Sequence, residues 1–353
     1  MAKNRVLLTG VGAPGAYGII RALKLSNSVD EIIGIDIKFN IPTQRFIDKF
    51  LVGPKSTDQD FINKVMEIAL ANRVNVIIPL VTSELDLFSR SKSLFLSKKI
   101  NVAVMDYEYL EIVNNKFNLL TQLKTMNIDV PEFLKVKDLV DFEFGLSQLG
   151  YPQNILCFKP TLGNGSRGFR ILDNKIDEMD LLFNQKPNSL YYSPQKFIEV
   201  VRNRDFPELL LMEYLPGDEY SVDVFFDGYN EIIVPRKRIS MNGGITTDCI
   251  IEQNEDVISY CSAIVKGLNI KGVYCIQVKY SFKSKPLILE INPRLQGTVI
   301  ASVSAGANFP HYLLNFLLRL PTEKPSINWG IRMMRFWEES YFDSLKNWIE
   351  FHN

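Results

Sequence analysis

The sequence contains few of the residues on which histidine and cysteine chemistry depends. It has two histidines, His311 and His352, and four cysteines with no C-x-x-C spacing. So few histidines disfavour a His-based zinc site and a Ser-His-Asp triad. Each cysteine lies in an apolar or strand-like stretch, which predicts reduced thiols in a cytoplasmic protein. The four are Cys157, Cys249, Cys261 and Cys275.

A charge excess and a long apolar segment are also missing. Lysine plus arginine number 40, as do aspartate plus glutamate, so nucleic-acid binding is disfavoured. The densest apolar run, 74–81, is broken by Asn75 and Pro79 and is shorter than the roughly 20 residues that cross a bilayer. With 353 residues, 46% of them hydrophobic, the chain can form two or three domains. We therefore expect a cytoplasmic enzyme that binds neither nucleic acid nor membrane.

Strand and helix patterns alternate in the first third of the chain. This alternation predicts a parallel, doubly wound α/β sheet. Strands are predicted over 5–9, 31–37, 74–80 and 102–105, and helices up to about 25 and over 60–72, 83–96 and 107–127. Further strands are predicted at 155–159, 209–214, 220–226, 272–280 and 287–291, and a helix at 309–318.

A glycine-rich turn joins the first predicted strand to the first helix. It contains Gly10, Gly12 and Gly15, and Asp36 ends the next strand. This pattern is typical of a dinucleotide site, with an anion at the helix N-terminus and a carboxylate on a ribose hydroxyl. Any doubly wound unit also needs a small-residue turn here, and the one Tyr-x-x-x-Lys spacing of the chain is interrupted by Pro194. NAD binding and a purely structural turn both remain open.

A second glycine-rich loop follows a lysine at the end of an apolar strand. Lys159 precedes the loop 161–168, which contains three glycines, a serine and an arginine. A lysine ammonium neutralises nucleotide phosphates, and glycines let backbone N–H groups close over them. No Gly-Lys-Ser/Thr occurs, so the segment is not a Walker A loop. The alternative is an ordinary hairpin turn.

Polar side chains alternate along the strand that begins near residue 287. Glu290, Asn292 and Arg294 fall on one face of an extended segment. A carboxylate and an amide oxygen are hard ligands that suit Mg²⁺, and an arginine suits a phosphoryl group. Gln277 lies in another apolar strand, and pairing of the two strands would bring it close to Glu290. The alternative is a solvated edge strand with a chance ion pair.

A strand, a Pro-Gly break and an alternating strand follow one another over 209–226. The break at Pro216 and Gly217 leaves backbone groups free to bind an adenine edge, and a nearby carboxylate could bind ribose hydroxyls. Taken alone, the segment is only a strand–turn–strand.

In this order the segments resemble the ATP-grasp superfamily, in particular the synthetase halves of the carbamoyl-phosphate synthase large subunit and related carboxylate–amine ligases. The resemblance covers roughly residues 5–320. It rests on Glu-x-Asn-Pro-Arg at 290–294, on Lys-Pro before the glycine loop, and on Glu-Tyr-Leu-Pro-Gly-x-Glu at 213–219. It implies an ATP-grasp fold, α+β in its nucleotide part, preceded by a doubly wound Rossmann-like domain.

The resemblance also implies roles for individual residues. The implied ATP-binding positions are Lys116, Lys159, Gly163, Gly165, Ser166, Arg167, Gly168, Glu213, Tyr214, Leu215 and Glu219. Within that set the lysines and the loop hold phosphates, 213–215 reads adenine, and Glu219 holds the ribose. Gln277, Glu290 and Asn292 are the implied Mg²⁺ ligands, although many relatives have a carboxylate where Gln277 stands. Arg294 is the implied arginine at the transferred phosphoryl group.

The resemblance predicts an ADP-forming ligase that uses ATP and Mg²⁺. A carboxylate would become an acyl phosphate, and an amine or similar nucleophile would displace phosphate. The basic triplet 236–238 is a candidate anion grip, with Arg238 favoured within it, and 246–248 could line the same pocket. The competing predictions are an NAD(P)-dependent oxidoreductase and a non-catalytic ATP-binding protein.

The predicted domains are 1–112, Rossmann-like; 113–325, ATP-grasp, with lobes 113–215 and 216–325; and a C-terminal extension, 326–353. Within the extension, 331–339 mixes aromatic and charged residues. We expect this segment to contribute to the core. The expected partners are small-molecule carboxylate and amine substrates and a second copy in a homodimer.

Overall fold

A computed structural model describes residues 4–163, 165, 167–185, 189–343 and the backbone of 348–349. The chain begins with a parallel sheet, as predicted, but the sheet has five strands, and the edge strand at 49–52 was not predicted. Its strands are β1 (Asn4–Thr9), β2 (Val29–Asp36), β3 (Lys49–Val52), β4 (Val76–Pro79) and β5 (Asn101–Val102), in the order β3-β2-β1-β4-β5. The strands β1 and β4 are almost wholly buried, as expected of strands covered on both faces.

The helices that cover this sheet are shorter than the sequence pattern predicts. They are α1 (Ala16–Lys24), α2 (Phe61–Ala71), α3 (Leu85–Arg90) and α4 (Lys92–Ser97), with 3₁₀ helices at Pro42–Phe46 and Thr82–Glu84. The helix predicted over 83–96 is therefore wrong as a single element, because the chain breaks at Ser91 between α3 and α4.

The long helix predicted over 107–127 is also two helices, α5 (Tyr107–Asn114) and α6 (Lys116–Thr125). Asn115 lies between them in an extended conformation, and its side chain accepts hydrogen bonds from the amides of Phe117 and Asn118. This is an N-cap, which satisfies amides that the start of a helix leaves unpaired. The break puts Lys116 in the first turn of α6.

A four-stranded antiparallel sheet follows. Its strands are β6 (Phe133–Val136), β7 (Leu156–Pro160), β8 (Arg170–Leu172) and β9 (Leu209–Glu213), in the order β6-β9-β7-β8. The helices of this part are α7 (Leu139–Gln148), α8 (Glu178–Phe183) and α9 (Pro194–Val201). Phe142, Phe158 and Phe197 pack together in its core.

The largest sheet has six antiparallel strands. They are β10 (Glu219–Phe226), β11 (Glu231–Asn242), β12 (Ile245–Ile251), β13 (Gly272–Tyr280), β14 (Pro286–Asn292) and β15 (Arg332–Met334), in the order β14-β13-β10-β11-β12-β15. The helices are α10 (Glu255–Leu268), α11 (Ile300–Ser304) and α12 (Phe309–Leu317), and β16 (Tyr341–Phe342) pairs with β17 (Trp348–Ile349). The predicted pairing holds, since Gln277 on β13 lies opposite Glu290 on β14.

The segment 331–339 is an edge strand followed by irregular chain. Its first part contributes to the core as predicted, since Ile331 and Met333 pack against buried residues, but its aromatic residues do not. Phe336 and Trp337 are 81% and 87% exposed. All four cysteines are buried and free, as predicted, and burial raises the pKa of Cys157 to about 12. Among the described residues, no helix has the length and apolar character that crossing a membrane requires.

The glycine turn after β1 packs directly against the loop that follows β14. Gly15 has a φ of +93°, and a Cβ atom there would overlap the backbone of Gly297. Gly12 donates its amide to Asp36 Oδ2 at 2.8 Å, so the carboxylate closes the turn. These contacts explain the glycines and Asp36 by packing alone, and they support the structural explanation over NAD binding.

We predict that Gly15→Ala destabilises the protein by more than about 2 kcal/mol, because it combines a left-handed φ with a backbone overlap. Gly330→Ala is the matched control, since Gly330 has a φ of +86° and open space around its Cα. Urea unfolding of the two variants measures the difference. Equal losses of stability would show that the contact with Gly297 is not tight.

Candidate active site

Side-chain alternation brings the polar residues of the six-stranded sheet to one face. Residues 219, 221 and 223 of β10 lie opposite 238, 236 and 234 of β11 and opposite 279, 277 and 275 of β13. On β14, Glu290 lies opposite Gln277, and Asn292 lies opposite Cys275. In antiparallel pairs, opposite residues share a face. Polar groups of four strands are thus concentrated on one surface.

Two lysines from other elements converge on Glu290. Lys116 Nζ, at the start of α6, lies 3.6 Å from Glu290 Oε2. Lys159 Nζ, near the end of β7, donates to the carbonyl of Leu289 at 3.0 Å. Burial lowers the pKa of Lys159, while the nearby Glu290 acts in the opposite direction. The site therefore holds two ammonium groups around one carboxylate.

Gly163, in the glycine-rich loop, contacts one of these lysines. Lys116 Nζ also donates to the carbonyl of Gly163 at 2.6 Å. Gly163 and Gly165 have positive φ values, and a Cβ atom at Gly163 would meet no neighbour within 4 Å, whereas one at Gly168 would overlap Pro160. Ser166 lies outside the described residues, and Arg167 is exposed. Lys116 thus tethers the loop at Gly163.

The donor groups at Glu290 suit a magnesium ion that is held mainly by phosphates. Asn292 Nδ2 donates to Glu290 Oε1 at 3.1 Å, which directs the amide nitrogen toward the carboxylate and leaves the amide oxygen for a ligand. The described residues contain no group of three or more His, Cys, Asp or Glu that could hold a metal alone. Because Mg²⁺ in nucleotide sites commonly uses one or two carboxylates plus substrate phosphates, the residues present fit it.

The predicted adenine-reading linker has part of its backbone already bonded. The amide of Tyr214 donates to the carbonyl of Ile155, and Glu213 Oε1 accepts from the amide of Glu132. Leu215 is buried, and Lys279 Nζ lies 5.1 Å from the centre of the Tyr214 ring. The linker is held between the two antiparallel sheets.

The basic triplet 236–238 lies on β11, and its first arginine cannot reach a ligand. Arg236 is fully buried and donates twice, at 2.8 Å each, to Asp223. Although burial acts to lower the pKa of Arg236, attraction to Asp223 raises it above its ordinary value. Its other contacts are Thr298 and Gln296, and Ser302 donates to Asp223 at 2.7 Å. Arg236 joins the sheet to the loop after β14.

The second arginine of the triplet pairs with the residue predicted to bind ribose. Arg238 forms an ion pair with Glu219 and donates to Thr246 Oγ1 at 2.9 Å. Lys237 pairs with Asp218 on the surface at 2.6 Å. Asp248 is held by Arg332, and the carbonyl of Thr247 accepts the amide of Arg335. The structure thus brings Glu219 and Arg238 together, while 247 and 248 serve strand pairing.

Arg294 links the six-stranded sheet to the first domain. Its Nε donates to Thr82 Oγ1 at 3.1 Å and its Nη1 to the carbonyl of Leu295 at 3.0 Å. Burial lowers the pKa of the guanidinium, and no carboxylate among the described residues forms an ion pair with it. A buried guanidinium that forms no direct ion pair is suited to an anionic ligand.

Comparisons with known proteins agree with this arrangement. A family described as "ATP-grasp in the biosynthetic pathway with Ter operon" matches residues 205–336, and one described as "PylC-like, N-terminal domain" matches residues 6–103. Within its second half the chain is thus similar to an ATP-grasp family. The predicted resemblance and fold class are confirmed.

The relatives and solved structures are distant. The chain is 22% identical over 212 residues to the carbamoyl phosphate synthase large chain of Clostridium acetobutylicum. The aligned region covers 57% of this chain and 18% of the carbamoyl phosphate synthase chain. N5-carboxyaminoimidazole synthetase from Staphylococcus aureus, complexed with ADP, has a TM-score of 0.67 at 16% identity and covers 92% of this chain and 81% of that one.

The biotin carboxylase domain of Hydrogenobacter thermophilus 2-oxoglutarate carboxylase was solved with MgADP, ADP and bicarbonate. It has a TM-score of 0.70 at 17% identity and covers 94% of this chain and 74% of that one. At these identities the structures establish the fold alone. The chain matches about a fifth of the length of the carbamoyl phosphate synthase relative.

Sequence reasoning missed Arg335. Its Nη2 donates to the carbonyl of Gly297 at 2.5 Å, and burial lowers its pKa. Like Arg294, it forms no ion pair with a described carboxylate. The sequence signal for Arg335 was its position directly after an apolar strand. Because the surrounding residues are a mixture of aromatic and charged side chains, this signal was not distinctive.

Glu84 was also missed. It is 8% exposed, and Thr9 Oγ1 donates to its Oε2. Burial raises the pKa of Glu84 to about 7, and the charge of Asp36 acts in the same direction. Its position directly after the 74–80 strand pattern, at the carboxyl end of a parallel strand, was the available signal.

We predict that Glu84→Gln removes a pH dependence of stability. The folded-state pKa of about 7 exceeds the ordinary value of 4.5, so the wild type loses stability as pH rises from about 4.5 to about 7. The difference corresponds to roughly 3 kcal/mol at pH 8. Urea unfolding at pH 5 and pH 8 should show a smaller decrease in the variant. Asp86→Asn, on the exposed side of α3, is the control, and an unchanged decrease in Glu84→Gln would contradict the assignment.

Proposed function

We propose that the protein is an ADP-forming ligase that activates a carboxylate as an acyl phosphate and couples it to an amine. The observation that carries this proposal is the convergence of Lys116 and Lys159 on Glu290 beside Asn292. Two ammonium groups around one carboxylate leave a surplus of positive charge, which favours an anionic ligand. A nucleotide triphosphate is such a ligand.

The proposed ATP site spans the two antiparallel sheets. Lys116 and Lys159 would neutralise the phosphates, and the loop Gly163–Gly168 would close over them, with backbone N–H groups as donors. The backbone of 213–215 would bind adenine, and Glu219 the ribose hydroxyls. The tether from Lys116 Nζ to Gly163 supports this proposal, because it already joins one lysine to the loop.

Magnesium would be held by Glu290 and Asn292, with Gln277 on the neighbouring strand. When bound, it would neutralise charge on the phosphates during transfer. Asn292 orients Glu290 through its amide, and Lys116 balances the charge of Glu290 at 3.6 Å. A site with a single carboxylate suits a metal that arrives with its nucleotide.

The substrate carboxylate would bind among the arginines at the end of β14. Arg294 and Arg335 carry guanidinium groups without ion pairs among the described residues, and both contact the loop that follows β14. We assign Arg294 to the transferred phosphoryl group and Arg335 to the carboxylate. Arg238, paired with Glu219, would then order the ribose pocket and border the substrate.

The chemistry needs positioning more than covalent catalysis. A carboxylate oxygen attacks the γ-phosphorus, the bond to ADP breaks, and the resulting acyl phosphate is attacked by an amine with loss of phosphate. Phosphoryl transfer is accelerated mainly by alignment and charge neutralisation. A cationic pocket without an activated nucleophile is consistent with this reaction.

We predict that Glu290→Ala lowers ADP release by at least about 100-fold, because the metal set loses its only anion. ADP release is measured with Mg-ATP over a panel of carboxylate–amine pairs. Glu323→Ala removes an exposed carboxylate to which the site assigns no role, and it should leave the rate unchanged. Retained turnover in Glu290→Ala would contradict the metal assignment. ATP binding without ADP release in the wild type would favour a non-catalytic protein.

A further inference from the structure

A buried ion pair lies between two neighbouring strands of the six-stranded sheet. Arg236 on β11 is fully buried, and Asp223 on β10 is 2% exposed. The guanidinium donates from Nε and Nη2 to the two carboxylate oxygens of Asp223, at 2.8 Å each, and Nη2 lies 4.0 Å from the sulfur of the buried Cys275. In such a buried setting, the loss of hydration offsets most of the attraction between the two charges. The stability of the sheet alone therefore does not explain the pair.

The remaining donors of the guanidinium reach out of the sheet to the loop 293–299, which joins β14 to α11. Nη1 donates to Thr298 Oγ1, and Nη2 also donates to Gln296 Oε1 at 3.4 Å. On the other side of the pair, Ser302 of α11 donates to Asp223 Oδ2 at 2.7 Å. A planar fork of five N–H groups can hold several acceptors in fixed directions. The pair thus ties two strands of the sheet to the loop and to the helix that follows it.

The same loop carries Arg294, whose other contact lies on the first domain. Arg294 Nε donates to Thr82 Oγ1 at 3.1 Å, and the backbone of Gly297 lies against the glycine turn after β1. Thr298, which Arg236 holds, directly follows Gly297 in the sequence and is buried. The first domain therefore contacts the loop from one side, and the buried pair holds it from the sheet. Loss of the bond to Thr298 would free the loop that carries Arg294 from the sheet.

We propose that Arg236 is a positioning residue of the reaction: paired with Asp223, it holds the loop after β14 where Arg294 reaches the transferred phosphoryl group. This proposal rests on the proposed ligase function, in which Arg294 has that role. Arg236 touches no ligand itself, because it is fully buried. A misplacement of about 1 Å at a reacting group costs roughly 100-fold in rate, even when its cause lies away from the chemistry. We therefore expect an effect on turnover and not on ATP affinity, since the proposed ATP-binding lysines lie on α6 and β7.

The test replaces the buried pair by apolar side chains of similar volume. The triple variant Arg236→Met, Asp223→Leu, Ser302→Ala removes the pair together with the hydroxyl that would lose its acceptor. Apolar replacement of a buried ion pair commonly leaves stability unchanged or raises it, so this variant should melt near the wild type. Thr298→Val is the second variant, because it keeps the pair and removes its bond to the loop. Arg236→Lys is the third, because an ammonium keeps the charge without the planar fork.

We expect the triple variant to lower the kcat of ADP release by about 100-fold and Thr298→Val by at least about tenfold, with the Kd of Mg-ATP within about threefold of wild type. Arg236→Lys should not restore the rate. Tyr220→Phe is the matched control, because Tyr220 is also buried on β10 and its hydroxyl bonds to Glu252 and Asn254, between β12 and α10. It should leave kcat unchanged. ADP release is measured with a carboxylate–amine pair that the wild type turns over, and Kd is measured from the Tm shift with Mg-ATP.

A wild-type kcat in the triple variant or in Thr298→Val would overturn the proposal, and so would full activity of Arg236→Lys. Equal losses of kcat and of Mg-ATP affinity would give the pair a purely structural role, which also overturns it. An equal loss of kcat in Tyr220→Phe would do the same, because any buried polar bond of β10 would then matter equally. Thr298→Val decides the question if the triple variant does not fold.

Failure of the ligase proposal gives a different result, because the wild type then releases no ADP with any pair of the panel. In that case hydrogen exchange measures the hold on the loop. The amides of Arg294, Val299 and Ala301 are bonded to carbonyls of neighbouring residues, so their exchange reports the order of the loop. In the triple variant and in Thr298→Val these amides should exchange at least about tenfold faster than in the wild type and in Tyr220→Phe. Unchanged exchange would overturn the positioning role whatever the reaction is.

Discussion

An imbalance of charge at the meeting point of three sheets constrains the whole site. Lys116, Lys159 and Arg294 approach a single carboxylate, Glu290, in a partly desolvated space. Burying surplus cations is unfavourable unless an anion joins them, so the arrangement is stable only as a binding site or with its groups partly hydrated. The proposed use of ATP follows from this charge imbalance more directly than from any single motif.

The first domain is joined to this site by close backbone contact. The glycines that resemble a dinucleotide motif allow the turn after β1 to approach Gly297, and Asp36 bonds within that turn. The buried pair of Arg236 and Asp223 fixes the same loop from the side of the six-stranded sheet. The loop after β14 is therefore held from both sides, which orders Arg294.

The alternation of apolar and polar residues predicted the elements whose formation depends on residues close in sequence. The parallel sheet and the pairing of Gln277 with Glu290 follow from alternation along each strand. The breaks at Ser91 and Asn115 do not, because an amphipathic pattern continues across a capping residue. The sequence could not show that Arg236 is held in an ion pair whereas Arg335 is not, because tertiary packing determines the partner of each arginine. Glu84 owes its burial to Thr9, 75 residues away.

Binding of nucleotide to the intact chain tests the central claim most directly. Thermal unfolding is measured with Mg-ATP, with ATP plus EDTA, and with NADH. A ligand at 100 times its dissociation constant adds about 2.7 kcal/mol to stability, which is visible as a shift in Tm. We expect a clear shift with Mg-ATP, a smaller shift without the metal and none with NADH. A shift with NADH alone, or none with Mg-ATP, would contradict the ATP-grasp site described here.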